Sequence, residues 1–139
     1  MIKYEFTGKT KKVDTDTLYQ IRAVRDFGDV KAGDIGGWIE KEPNLSHDGN
    51  CWVYDKSLVY MNARVTGNAR VRNNAIVFGC AQVYGNALLT DNVWVYGYAL
   101  VTDNARVAGS SRVSDYSWVY GTAYVFGKDR VSGNQRLCV

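Results

Sequence analysis

Proline occurs once, at Pro43, and histidine once, at His47. A single histidine cannot supply the several imidazoles of a catalytic zinc centre. The three cysteines, Cys51, Cys80 and Cys138, include no Cys-x-x-Cys pair. Their odd number also argues against a disulfide framework, so no metal and no cofactor is expected. No apolar run approaches the ~20 residues of a membrane span. The first residues, Met-Ile-Lys-Tyr-Glu-Phe, lack the uncharged apolar core of a signal peptide. The expected setting is the cytoplasm, with no membrane partner. Strong charge of one sign is missing too: residues 1–50 carry eight Lys/Arg against nine Asp/Glu, and residues 51–139 nine against five. That mild balance excludes a DNA mimic, gives little support to anion binding, and leaves nucleic acid outside the expected partners.

What the chain has in quantity is a repeat. Every sixth residue from Val53 to Leu137 is aliphatic, and all fifteen of these positions are Val or Leu. Two residues earlier stands a small side chain, as at Ala63, Ala69, Ala75, Ser111 and Ser117. Two and three residues later come turn formers, as in Gly67-Asn68 and Asp103-Asn104. A helix cannot keep a period of six on one face. A short strand followed by a corner can: the small residue and the Val point inward, their neighbours point outward, and the Gly, Asp or Asn takes the corner dihedral. Three hexads make one triangular coil of 18 residues, and the stacked coils form a parallel β-helix. About five coils are expected over residues 45–139, preceded by an N-terminal β cap over 1–44.

Within the cap, alternation predicts strands near residues 1–7 and 17–27, with the basic run Thr7–Lys12 as a hairpin tip. Trp38 is expected to pack on the open first coil. At the far end, Asp129 and Gln135 take inward positions and can serve the last coil as a polar cap.

Outward residues sort into three faces. One carries Leu58, Tyr60, Ile76, Phe78, Trp94 and Tyr96 in succession, an apolar surface too large to stand bare on a monomer, so a homo-oligomer (dimer or trimer) built through these six is expected, with coverage by the N-terminal cap as the alternative. A second face carries Arg70, Arg72 and Arg106 among aromatic side chains and is the candidate anion or ligand site.

The hexad pattern, with the segment from Phe27-Gly28-Asp29 to Trp38-Ile39-Glu40, then Asn44-Leu45-Ser46 and Trp52-Val53-Tyr54, resembles the hexapeptide-repeat superfamily. It is closest in character to small bacterial and phage proteins labelled acyltransferases on fold grounds. The resemblance implies an all-β, single-stranded, left-handed parallel β-helix, and oligomers formed through such faces. It also implies an acyltransferase reading in which His47 is the general base and a coenzyme A thioester the donor. The γ-type carbonic anhydrases of this fold need three histidines and are excluded. Acyltransferases of the superfamily usually extend a loop from the helix, and the hexads here run from 53 to 137 without insertion. The preferred expectation is therefore a non-catalytic binding or scaffold protein. The genomic setting of similar proteins extends this to a phage- or prophage-encoded anti-defence protein that binds a host protein or a small nucleotide. The acyltransferase stands as the alternative.

Overall fold

A computed structural model describes residues 2–138. The chain opens with an antiparallel hairpin of β1 (Tyr4–Val13) and β2 (Asp16–Ala23), in register from Tyr4↔Ala23 to Val13↔Asp16. The hairpin turns at Asp14, whose φ is 54°. The basic run lies inside β1 and not at a tip, because Gly8 at φ 101° makes a bulge between Phe6 and Thr10 instead of a reversal. The next strand, β3 (Ile35–Ile39), pairs antiparallel with β2 on one side and parallel with Leu58–Val59 on the other. The hairpin and the solenoid therefore share one continuous sheet of eight strands.

Fifteen short strands follow, from Trp52–Val53 to Arg136–Cys138, and each of the first twelve pairs in parallel with the strand 18 residues on. They complete the eight-stranded sheet and make two more of five strands each. In the long sheet β3 lies beneath five short strands, and Leu45 bridges Val65 in a second sheet. An initial coil thus precedes the regular ones, giving a β-solenoid of about six turns, one more than the repeat alone predicts. No α-helix occurs among the described residues, and no helix is long and apolar enough to cross a membrane.

The inward Ala and Val columns, from Ala63 and Val65 to Ala105 and Val107, are fully buried. Where Ser replaces Ala its hydroxyl is not stranded: Ser111 Oγ donates to Ala108 O at 2.7 Å and Ser117 Oγ to Ser114 O at 2.6 Å. Each corner has one residue at positive φ, at every sixth position from Gly49 to Gly133, filled by Gly, Asp, Asn73 or Met61. The Asp residues do more than tolerate that dihedral. Asp91, Asp103 and Asp115 each accept the backbone N–H of the corner one coil above, at 2.9 Å. Along the Asn column the coils are joined mainly through the backbone: Asn86 N–H donates to Asp103 O at 2.7 Å and Asn104 N–H to Gly121 O at 2.8 Å, while Asn50 N–H donates to Asn68 Oδ1 at 3.2 Å.

One expectation about the N-terminal segment is corrected here. Ile39 and Gly37 take the inward slots of the first coil, which turns Trp38 outward onto Leu58, with Lys11 Nζ 4.4 Å above its ring. At the other end Asp129 and Gln135 are exposed, and Gln135 Oε1 accepts Ser132 N–H at 2.9 Å.

Candidate functional site

The apolar face is only partly available. Leu58 and Tyr60 are buried in a cluster with Leu18 of β2, with Val13, Trp38, Ile76 and Phe78 packed against it. The hairpin, through Leu18 and Val13, thus covers the lower third of the face at Leu58 and Tyr60. Above it the rings continue as a stack: Tyr60 on Phe78 at 5.5 Å and Phe78 on Tyr96 at 4.9 Å. Trp94 remains 38% exposed, with the Arg112 guanidinium 4.1 Å over its ring.

His47 sits in the junction between hairpin and solenoid. Its sequence neighbours give it no partner, but the fold supplies three. Lys3 N–H donates to its Nδ1 at 3.0 Å, the Tyr4 ring stacks on it at 4.1 Å, and Glu42 Oε1 lies 3.6 Å from Nε2. With the Nδ1 lone pair taken by a backbone N–H, the neutral ring keeps its proton on Nε2, facing a carboxylate. An imidazole held this way has no free lone pair with which to act as general base. Its role in this geometry is to fasten the hairpin, together with the Arg25 guanidinium on His47 O at 3.2 Å.

The Arg-bearing face holds a depression. A cleft of about 280 Å³ is lined by Gly28, Asp29, Asn50, Tyr54, Asn68, Arg70 and Asn86. Its floor is the Asn corner column, and one wall is the loop after β2. Asp29 is already neutralised: Tyr54 Oη donates to Oδ1 at 2.7 Å and Arg72 to Oδ2 at 3.1 Å, with the Arg72 guanidinium 4.0 Å over the Tyr54 ring. The Tyr54 hydroxyl, then Arg72, hold the Asp29 carboxyl below its ordinary value. Burial, then Asp29, pushes the Tyr54 phenol up. Neither group is a base or an acid poised for neutral pH. Arg70 is exposed at the cleft wall, with its guanidinium open to an anion. Arg106 lies two coils above Arg70, beyond Leu88, and does not reach the cleft. Of the three arginines named from sequence, the fold gathers Arg70 and Arg72, and only Arg70 is uncommitted to Asp29. Asp29, Tyr54 and the Asn corner were missed, because the loop that carries Asp29 has no periodic signal.

A long parallel β-solenoid built from hexads, with Val and Ala inside and Gly or Asp at each corner, defines a hexapeptide-repeat β-helix protein. The comparisons agree with that class. The family described as the YdcK beta solenoid repeat matches residues 81–97. A curated relative, the "Uncharacterized acetyltransferase YdcK" of Escherichia coli (strain K12), is 40% identical over 77 residues. The match covers 55% of this chain and 23% of the relative, so the chain spans about a quarter of the length of the protein it matches. Repeat, solenoid and relative together fit the hexapeptide-repeat β-helix superfamily. The expectation of a non-enzymatic protein is corrected by this comparison, since the relative is named an acetyltransferase, the reading the sequence placed second.

Proposed function

We propose that this chain is a β-solenoid of acyltransferase type that binds a coenzyme A thioester. The observation that carries the reading is the 40% identity to the relative named an acetyltransferase. The cleft at Asn50, Asn68 and Arg70 supports it. Its volume of about 280 Å³ falls just below the ~300–1,000 Å³ of ligand pockets, so it suits one phosphate-bearing portion of such a molecule and not the whole. Arg70 supplies a bidentate cation and the corner Asn residues supply amide donors. The lone carboxylate on the wall, Asp29, is held by Arg72 and Tyr54 and repels an incoming phosphate less than a free one would. In the transfer the acceptor nucleophile attacks the thioester carbonyl, the C–S bond breaks, and the coenzyme leaves as its thiol. This cleft contributes binding and orientation to that step, and His47 does not contribute the base.

Calorimetric titration with acetyl-coenzyme A tests the assignment. Arg70→Glu is expected to weaken binding at least about tenfold, because a charge-assisted hydrogen bond is worth ~1.5–3 kcal/mol. Unchanged affinity in the variant would remove the cleft from the reading. Adenosine 3′,5′-bisphosphate serves as a second titrant. If it binds as tightly as the thioester, the site reads the nucleotide phosphates.

A second reading concerns assembly. The rings of Phe78, Trp94 and Tyr96 that the hairpin leaves uncovered support self-association through that face. Native mass spectrometry is expected to give a dimer or trimer for the unmodified chain and a soluble monomer for Trp94→Arg. The same oligomer in both would move the interface elsewhere.

A further inference from the structure

Lys3 is the one lysine with no exposed surface, and it lies against Cys51, which is equally buried. Its Nζ donates to Cys51 O at 2.7 Å and to Gly49 O at 3.4 Å, and it stands 3.4 Å from Cys51 Sγ. The Phe27 ring lies 4.8 Å beneath the same ammonium. A lysine that only needed carbonyl partners would not need a thiol as its third contact. Here the thiol occupies the small inward slot of the first full hexad, where Ala stands in most later coils. The two groups sit 48 residues apart in the chain, one just before β1 and the other on the first regular coil.

We propose that Lys3 and Cys51 form a reversible oxidative cross-link that fastens the N-terminal hairpin to the solenoid. The oxidant is hydrogen peroxide, small enough to enter when the hairpin breathes. In the first step the Cys51 thiol takes one oxygen from peroxide, giving sulfenic acid and water. In the second, the Lys3 Nζ lone pair attacks Sγ, an S–N bond forms, the S–O bond breaks, and the hydroxyl leaves with a proton from nitrogen as a second water. Sulfur is oxidised by two electrons and peroxide is reduced by two, and a dithiol returns both side chains. Burial pushes Lys3 down, toward the neutral amine, and pushes the Cys51 thiol up, so the sulfur reacts with peroxide only as the hairpin opens. The Ser46, Asp48 and Val65 carbonyls around Sγ leave Nζ as the nitrogen nucleophile in contact. Nζ also needs no search, since its bond to Cys51 O already holds it beside the sulfur.

The test uses the full chain with Cys80→Ser and Cys138→Ser, so that Cys51 is the only thiol. After mild peroxide treatment of the folded protein, intact mass is expected to fall by two hydrogens. Digestion with a protease that spares lysine is expected to yield the Lys3 and Cys51 peptides joined. Dithiothreitol should separate them, and the cross-linked form should melt about 5 °C or more above the reduced one. Adding Lys3→Met should abolish the joined species and send Cys51 on to sulfinic acid. The proposal is overturned if Cys51 in the treated protein stays alkylatable or carries sulfinic acid while Lys3 is free. A joined pair that retains an extra oxygen would overturn the S–N bond.

Discussion

Asn44→Ala is expected to cost about 3–5 kcal/mol of folding stability, read as a lower midpoint in reversible urea unfolding. Asn44 is fully buried, and its amide uses every bond it can make. Oδ1 accepts Glu40 N–H at 3.1 Å and Lys41 N–H at 2.9 Å; Nδ2 donates to Met61 O at 3.1 Å and to Ala63 O at 2.9 Å. The first pair closes the turn that follows β3, and the second ties that turn to the coil above. Alanine leaves four backbone groups short of a partner, at ~1–3 kcal/mol for each group left unsatisfied. Relaxation gives partial relief, as does water entering from the cleft of about 320 Å³ that Asn44 lines with Lys41, Asn62 and Arg64. Asn44→Asp separates two explanations. It keeps the acceptor for Glu40 and Lys41 but turns a carboxylate toward two carbonyls, so it should be as damaging as alanine. If both variants unfold like the parent, the turn is held by the Glu42–Asn44 backbone alone, through Asn44 N–H to Lys41 O and Leu45 N–H to Glu42 O.

Asn44 also marks where the sequence stops being easy to read. From Val53 onward each hexad repeats the same steric problem, so inside, outside and corner follow from counting. Ile39 and Leu45 obey the same period of six, with Gly37 two residues before Ile39 in the small slot. The distance from Leu45 to Val53 is eight, however, and those two extra residues put the first coil out of phase with all the others. The surplus falls in the segment that holds Ser46, His47 and Asp48, and this segment bulges out to receive Lys3, Tyr4 and Arg25. Reading the phase backward from Val53 therefore makes the first coil look like cap. The cleft was half legible for a related reason. Arg70 and Arg72 follow from the period, whereas Asp29 and Gly28 reach the site on an aperiodic loop packed through Phe27 on Trp52, with ring centroids 5.2 Å apart. That packing buries Trp52 on a face the repeat assigns to solvent.

Gly37→Val is expected to be as severe, with a loss of at least about 3 kcal/mol or no recoverable folded protein. The reason is space and not dihedral freedom, since Gly37 is absent from the positive-φ residues. A Cβ there would stand 2.6 Å from Ser57 O and 2.8 Å from Val53 Cγ1. The oxygen cannot retreat, because Ser57 O accepts Trp38 N–H at 3.0 Å and that bond holds β3 to the coil above. The next four coils fit Ser57, Ala75, Val93 and Ser111 into this slot, so the first coil is narrower than those it supports. Trp52 and Ile21 crowd the adjacent Gly36 in the same way, at 2.7 and 2.8 Å from its would-be Cβ. A control at the open end isolates the cause. Gly127 has φ 67° but nothing within 4 Å of its would-be Cβ. Gly127→Asn, which keeps a side chain suited to that dihedral, should cost under about 1 kcal/mol. If the two variants unfolded at the same denaturant concentration, crowding at the base would not be what fixes the first coil. Its stability would then have to come from the hairpin contacts at Lys3, Tyr4 and His47.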